Sequence, residues 1–493
     1  MSPDIPNPKE DDEMRGVFSH EEQHADDDDL SSKLNSRLKL KLDLFILPLI
    51  SLVYFFAQMG RSDLANSKVA GLSEELNLSP RDYSNAATML LVAYVVFQLP
   101  GTLLIKQIGP ARQFAGAMII WGAITAATVA IHNKGELFAL RFLIGAAEAF
   151  VQGGALRGDL SFWYQYRELA TRGAIFYSMS TLAGAFNGLI AYGIDKDMDG
   201  LRGWRAWRWI FLVEGIMPCV AAFFVLFLLP ASPETLKFGF TAEEKELAIR
   251  RSRQAHNTSE AKLEVKKVPL VLLSLHFWLL LGIACCGHFC VGSMSNFLPA
   301  IIEGFGYTSV NTQLFSVIVY ACACVGVLFW AKVADRTNAR GLTLAASTCG
   351  AIVGYALLLG IENDQGRFGA TCLVAFSVYP SIVLQLSWAA MSFIGYTRRG
   401  SSLAFMNVFS QLFAICGTQA YSDPPYYRMG NASALGLSCV SLILSLVLRW
   451  YFILLNGRKV QQQFTAEATA QRQKGLEELG DKHPGEQKIR STF

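Results

Sequence analysis

Leu137-Phe-Ala-Leu-Arg141-Phe-Leu-Ile-Gly145-Ala-Ala-Glu148-Ala-Phe-Val-Gln152-Gly-Gly is an apolar run that nevertheless holds an arginine and a glutamate. Ionisable groups inside a bilayer are costly, and by default they mark a substrate, ion or proton path. Seven residues along a helix turn about 700°, so Arg141 and Glu148 share a face with ~10 Å of rise between them. Gly145 falls on that face and Gln152 continues it. The stripe is polar while the rest of the helix is apolar. It must therefore face other helices or a water-filled cavity, not lipid.

The rest of the chain places this stripe in a membrane protein. Of 493 residues, 52% are hydrophobic and 17% charged, whereas a soluble domain carries about a quarter charged residues. A spanning helix needs about 20 mainly apolar residues. Such runs occur near 41–61, 83–105, 113–132, 136–156, 172–194 and 208–229. After a polar stretch they resume near 270–295, 312–334, 340–361, 368–391, 401–421 and 433–455. The expectation is an all-α integral membrane protein of twelve transmembrane helices in two six-helix halves. The alternation suited to a membrane β-barrel is absent.

Composition also narrows function. The net charge of +3, with no basic aromatic-interleaved patch, gives no reason to expect a nucleic-acid partner. All ten cysteines fall inside predicted helices, where they read as small packing residues rather than a disulfide framework. Cys286, His288 and Cys290 lack a fourth ligand and match no usual zinc pattern, so no metal is expected. No nucleophile–base set or phosphate loop appears, so the chain is expected not to be an enzyme and to need no cofactor.

Residues 1–40 are polar, carry the acidic run Asp26 to Asp29, and read as a disordered cytosolic tail. The two halves are expected at 41–230 and 269–456. A charged cytosolic loop at 231–268 joins them, and a cytosolic tail follows at 457–493. Lys33, Arg37, Lys39 and Lys41 just before helix one favour a cytosolic N-terminus, and an even helix number puts the C-terminus on the same side. Lys196, Arg202 and Arg205 fall outside on this scheme, so the inside bias is modest. Thr241 and Glu244 have the spacing of a capping box that opens a surface helix. Asn77-Leu-Ser is the one glycosylation sequon placed outside on a suitable loop.

Helix one carries the second charged cluster, Gly60-Arg61-Ser-Asp63. Arg61 lies 17 residues beyond Leu44, ~25 Å along the axis and still within a ~30 Å apolar core. A guanidinium binds a carboxylate in bidentate fashion, which suits Arg61 to clamp an anionic substrate. Removal from water favours the neutral form of a carboxyl, so Glu148, at mid-depth, can take a proton from outside and release it inside. Its protonation would free a neighbouring arginine for the anion. The alternative is a static interhelical salt bridge that holds register. For Asp63 the alternative is capping, or contact with outer water. Asn187, Asn407, Gln411 and Trp388 are further candidates to line the cavity, with interhelical hydrogen bonding or packing as the alternative. Glu214 reads as a local partner of Arg208 or Arg205.

The chain resembles the anion:cation symporter group of the major facilitator superfamily, within its fungal branch of allantoate, nicotinate and related organic-acid permeases. The resemblance rests on Tyr94 to Pro100, on Arg141 to Ala149, on Trp204-Arg-Ala-Trp-Arg-Trp-Ile-Phe-Leu-Val-Glu214-Gly, and on Phe297-Leu-Pro-Ala-Ile-Ile. Ala334-Asp335-Arg336 is similar to the superfamily's loop motif between helices eight and nine. The resemblance implies the major facilitator fold, and it assigns anion binding and proton coupling to Arg61, Arg141 and Glu148. The chain departs from the pattern at Gly60, where relatives carry an acid, and at Asp63, where they usually carry Asn: either Asp63 takes over proton coupling on the same face beside Glu148, or one protonation site is lost. The function implied is proton-coupled uptake of a small organic anion across the plasma membrane, by a protein acting as a monomer. An exporter of a metabolite or toxin, or a non-transporting sensor, are the rivals.

Overall fold

The computed structural model describes residues 8–154, 163–164, 169–230, 232–236, 239–256, 269–393 and 396–463. Twelve long helices run through them. They are α1 (Pro8–Ser67), α2 (Pro80–Ile108), α3 (Pro110–Ala127), α4 (Lys134–Gly154), α5 (Leu169–Asp197) and α6 (Ala206–Leu228), then α7 (Leu275–Glu303), α8 (Ser309–Thr337), α9 (Arg340–Gly360), α10 (Asp364–Ser392), α11 (Tyr396–Ala420) and α12 (Arg428–Gln463). No strand occurs among the described residues. Ten of the twelve are long and apolar enough to cross a membrane. The other two are α4, which carries the charged stripe, and α5.

Local chemistry sets the helix ends. Helix α1 gives way to a kinked turn at Lys68–Leu72, where Gly71 takes φ 98°, a conformation that favours glycine. Ser79 then caps α2: its hydroxyl accepts from Asp82 N at 3.1 Å, while Ser79 N donates back to the Asp82 carboxylate at 3.2 Å. Prolines 48, 100, 218, 299 and 380 lie inside helices, as packed membrane helices tolerate.

The helices pack with an internal repeat. Helix α2 packs on α4, α3 on α6 and α1 on α5; six places on, α8 packs on α10, α9 on α12 and α7 on α11. The halves meet chiefly where α5 packs on α8 and α2 on α11, again a pair related by a step of six. Large apolar side chains such as Leu99, Leu103, Phe223, Phe227, Val325 and Leu328 point outward and stay exposed, which suits a surface bathed in lipid.

Two segments differ from expectation. Helix α1 begins at Pro8, so the described part of the expected disordered tail is helical and continuous with the first span. Its Glu, Lys, Leu and Arg residues are good helix formers, and Pro8 stands at the first position, where proline is accepted. In the central segment the helix Ala242–His256 opens with the expected capping box, Thr241 N to Glu244 Oε2 at 2.9 Å. Glu244 also takes Lys41 Nζ at 2.7 Å, which docks this helix against α1. The sequence pattern did not reveal that contact, since the two residues lie some two hundred positions apart. Asn257 and the segment 464–493 lie outside the described residues.

At the end where α1 stops and α2 begins, expected to face outward, a set of polar bonds joins the halves. Lys68 Nζ donates to the Tyr427 hydroxyl at 2.9 Å and sits 4.5 Å from the Tyr83 ring centroid. Tyr83 donates to Asn296 O at 2.6 Å, Gln313 to Asn66 O at 3.0 Å, and Gln419 to Thr88 Oγ1 at 2.8 Å. A partly buried ammonium over aromatic faces is worth about 1 kcal/mol, roughly fivefold in an open–closed equilibrium. In a background lacking other reactive cysteines, a cysteine at position 88 is expected to react about fivefold faster with an impermeant maleimide when Lys68→Ala is present. Equal rates would show that Lys68 does not hold this end shut.

Candidate functional site

Helix α4 presents its stripe as the spacing predicted. Gly145 faces α2 so closely that an added Cβ would stand 2.1 Å from Leu90 O. That approach turns the stripe inward toward α1 and α6. Glu148 is 0% exposed and Arg141 2%. The two do not pair with each other, because two helical turns separate them; each reaches α1 at its own level.

The partner of Glu148 is Arg61, with Nε 3.4 Å from Glu148 Oε2. The sequence left open which arginine neighbours Glu148, and the structure brings Arg61 to it. The guanidinium of Arg61 also lies 4.9 Å from the Tyr94 ring centroid, so α2 supports it from the side. Glu148 Oε1 has no hydrogen-bond partner among the described residues.

Arg141 donates from Nη1 to Gly60 O at 3.2 Å and lies 5.6 Å from the Phe211 ring centroid. Its Nε and Nη2 are buried with no partner among the described residues. Two unused guanidinium donors in a buried site are costly, and a bidentate acceptor such as a carboxylate matches them.

Gly60 explains how the site departs from the family pattern. A Cβ there would stand 3.4 Å from Glu148 Oε1 and 3.8 Å from Asp63 Oδ2. An acid at position 60 would therefore push a third carboxyl between two others. The acid lies instead at Asp63, one turn on and 1% exposed, so it neither faces outer water nor caps a helix end. Asn187, fully buried on α5, donates from Nδ2 to Asp63 Oδ1 at 2.9 Å and to Met59 O at 2.9 Å, and accepts from Asn66 at 2.7 Å. Asn187 thus fixes Asp63 within a hydrogen-bond network.

Glu214, on α6, is 4% exposed and belongs to the same cluster. Its carboxyl lies against that of Asp63, with Arg141 as the nearby cation. The expected local partners are engaged elsewhere: Arg208 Nη2 meets Glu75 at 2.7 Å and Arg205 Nη1 meets Glu74 at 2.6 Å. Sequence proximity misled here, because α6 carries Glu214 inward past the end of the helix where the arginines sit. Tyr320 was also missed. It packs on Gly184 and reaches Ser62 between Arg61 and Asp63, so α8 of the second half touches the cluster.

The remaining candidates fall away from this cluster or outside description. The side chain of Gln152 lies outside the described residues. Trp388 packs within the second half, 6.3 Å from Phe452 by ring centroids and against Gly341. Asn407 is half-buried and Gln411 buried on α11; neither joins the cluster's hydrogen bonds. Asp335 and Arg336 are exposed in the last turn of α8, while Arg340 reaches across to Ser387 O at 3.0 Å. Asn77 is exposed in the α1–α2 turn at φ 51°. All ten cysteines lie on helices.

Twelve helices in two repeated halves, with charge buried at the centre of the first, define a secondary transporter architecture. Residues 50–418 match the family model of the Major Facilitator Superfamily, and the chain belongs to that family. It is 33% identical over 396 residues to the MFS transporter prlL of a fungal species, covering 78% of this chain and 79% of the relative. It is 27% identical over 444 residues to the high-affinity nicotinic acid transporter of Saccharomyces cerevisiae, covering 88% and 82%. Its fold is similar to that of a bacterial homologue of the human lysosomal transporter Spinster, with TM-score 0.63, 12% identity, and 82% and 96% of the two chains covered. The protein is an integral membrane transporter.

Proposed function

We propose that this transporter carries a small organic anion inward across the plasma membrane together with a proton. In this reading it acts as a monomer with both termini in the cytosol. One observation carries it. A fully buried Glu148 holds Arg61 at 3.4 Å and leaves one of its own oxygens unpartnered, beside an Arg141 with two unused donors. Protonation of Glu148 dissolves its pairing with Arg61, and the arginines then offer bidentate sites to a carboxylate. Release of the proton on the other side restores the pair and expels the anion. The alternating packing of two repeated halves supplies the conformational change.

The similarity to a nicotinic acid transporter supports a planar monocarboxylate among the first substrates to try. In cells lacking their own permeases, uptake of radiolabelled nicotinate and of a panel of monocarboxylates and ureides is expected to rise as outside pH falls. Each unit of ΔpH adds about 1.4 kcal/mol per proton, tenfold in accumulation. A protonophore is expected to remove that gain. Efflux that loads the medium against the gradient would favour an exporter instead, and binding without flux in vesicles would favour a sensor.

A further inference from the structure

Asp63 and Glu214 are two buried carboxyls in contact, from α1 and α6. Asp63 and the side chain of Asn187 are the polar groups that face the Glu214 carboxyl, with Arg141 as the nearby cation. Carboxylates are acceptors only, whereas a protonated carboxyl is a donor. Two carboxylates at one buried site cannot both ionise without a severe cost, and a single proton between them turns a repulsion into a strong hydrogen bond. The surroundings favour one negative charge on the pair. Asn187 donates to Asp63 Oδ1 at 2.9 Å, and Arg141 supplies the nearest cation, with Nε and Nη2 still unpartnered.

The groups that face the pair are few. Helix α4 brings Arg141 and Glu148, α1 brings Arg61, α2 brings Tyr83 beside Arg141, α5 brings the neutral Asn187 and α8 brings the Tyr320 hydroxyl to Ser62. The ionisable residue of α3 is Arg112, exposed in its first turn. Lys68, in the turn after α1, is turned to Tyr427.

We infer that Asp63 and Glu214 form a resident proton-binding site that keeps one shared proton throughout the cycle, distinct from the proton that Glu148 takes up and releases. The consequence is electrostatic. With one proton on the pair, the two arginines balance Glu148 and the pair, and the cluster is neutral. Protonation of Glu148 then leaves one net positive charge, which matches a monoanion. Without the resident proton the same step would leave no net charge and no electrostatic pull on the anion. The assignment of charge class rests on the reading of Glu148 above; the shared proton does not.

The test is therefore spectroscopic. Infrared difference spectra of the purified full chain, recorded in light and heavy water, report the carbonyl stretch of a protonated carboxyl. In Glu148→Gln protein at about neutral pH, far above the ordinary carboxyl range near 4, one such band is expected from the buried cluster. Adding Glu214→Gln is expected to abolish it, because Asp63 alone beside Arg141 then ionises; Asp63→Asn is expected to abolish it likewise. Two routes to the same loss guard against one variant failing to fold. Absence of the band in the Glu148→Gln protein, or its survival in both double variants, would overturn the shared proton. A band that behaves as expected in a protein whose uptake ignores pH would instead overturn the proton-coupling reading and leave the resident proton standing.

Discussion

Glu148→Gln is expected to abolish acid-stimulated uptake while the protein still reaches the membrane. Glutamine keeps the shape and a hydrogen-bonding oxygen, but it neither ionises nor carries a proton. The pair with Arg61 at 3.4 Å then never forms, and the site stays in the state that only protonation produces in the wild type. Accumulation driven by ΔpH should fall at least tenfold for each pH unit imposed, to the level reached without a gradient. Substrate exchange, which needs no proton movement, should persist. Removing one member of a buried ion pair costs about 3–5 kcal/mol when a charge is stranded. Here the stranded Arg61 keeps the Tyr94 ring at 4.9 Å, which lessens that cost. Surface quantity is read alongside uptake, so a folding defect and a coupling defect separate.

Gly145→Val is expected to remove folded protein from the membrane altogether. The added Cβ would lie 2.1 Å from Leu90 O and 2.8 Å from the carbonyl carbon, so backbone, not a yielding side chain, must move. Helices in a bilayer associate through close backbone packing at small residues, and overpacking of this kind costs about 3 kcal/mol or more. Gly116→Ala is the matched control, since nothing stands within 4 Å of a Cβ at that position. Its expression and monodispersity on size exclusion should match the wild type. A well-expressed, monodisperse Gly145→Val protein would contradict the observed α2–α4 crossing.

How much of this was legible in the sequence follows from the range of the interactions. The stripe of Arg141, Gly145 and Glu148 was legible because helical periodicity is local: three residues on one face of an apolar helix cannot all look at lipid. The twelve helices and their division into halves were legible because bilayer thickness imposes a length that composition reveals. What each charge pairs with was not legible. Arg61 reaches Glu148 across 87 positions, and the choice of Arg61 over Arg141 turns on where α1 crosses α4. Glu214 was misplaced for the same reason. Arg205 and Arg208 are its neighbours in the chain, yet Glu74 and Glu75 hold them at the helix end, while Glu214 is carried inward to Asp63. The departure at Gly60 was visible as an absence. Only the positions of Glu148 Oε1 and Asp63 Oδ2 around it show why an acid there would be crowded. The polar candidates of the second half, Trp388, Asn407 and Gln411, rest on residue type and helix position, which name a face to test and not a partner.

The proposed coupling of proton movement to anion movement rests on Glu148, paired with Arg61 inside the first half. Its most direct test is the purified protein in sealed liposomes containing a pH-sensitive dye, with an outside-acid gradient and labelled nicotinate or another panel monocarboxylate. Substrate-dependent acidification of the lumen and gradient-driven accumulation are expected of the wild type, with both lost and exchange retained in Glu148→Gln. Accumulation that follows the pH gradient equally well in Glu148→Gln would contradict it.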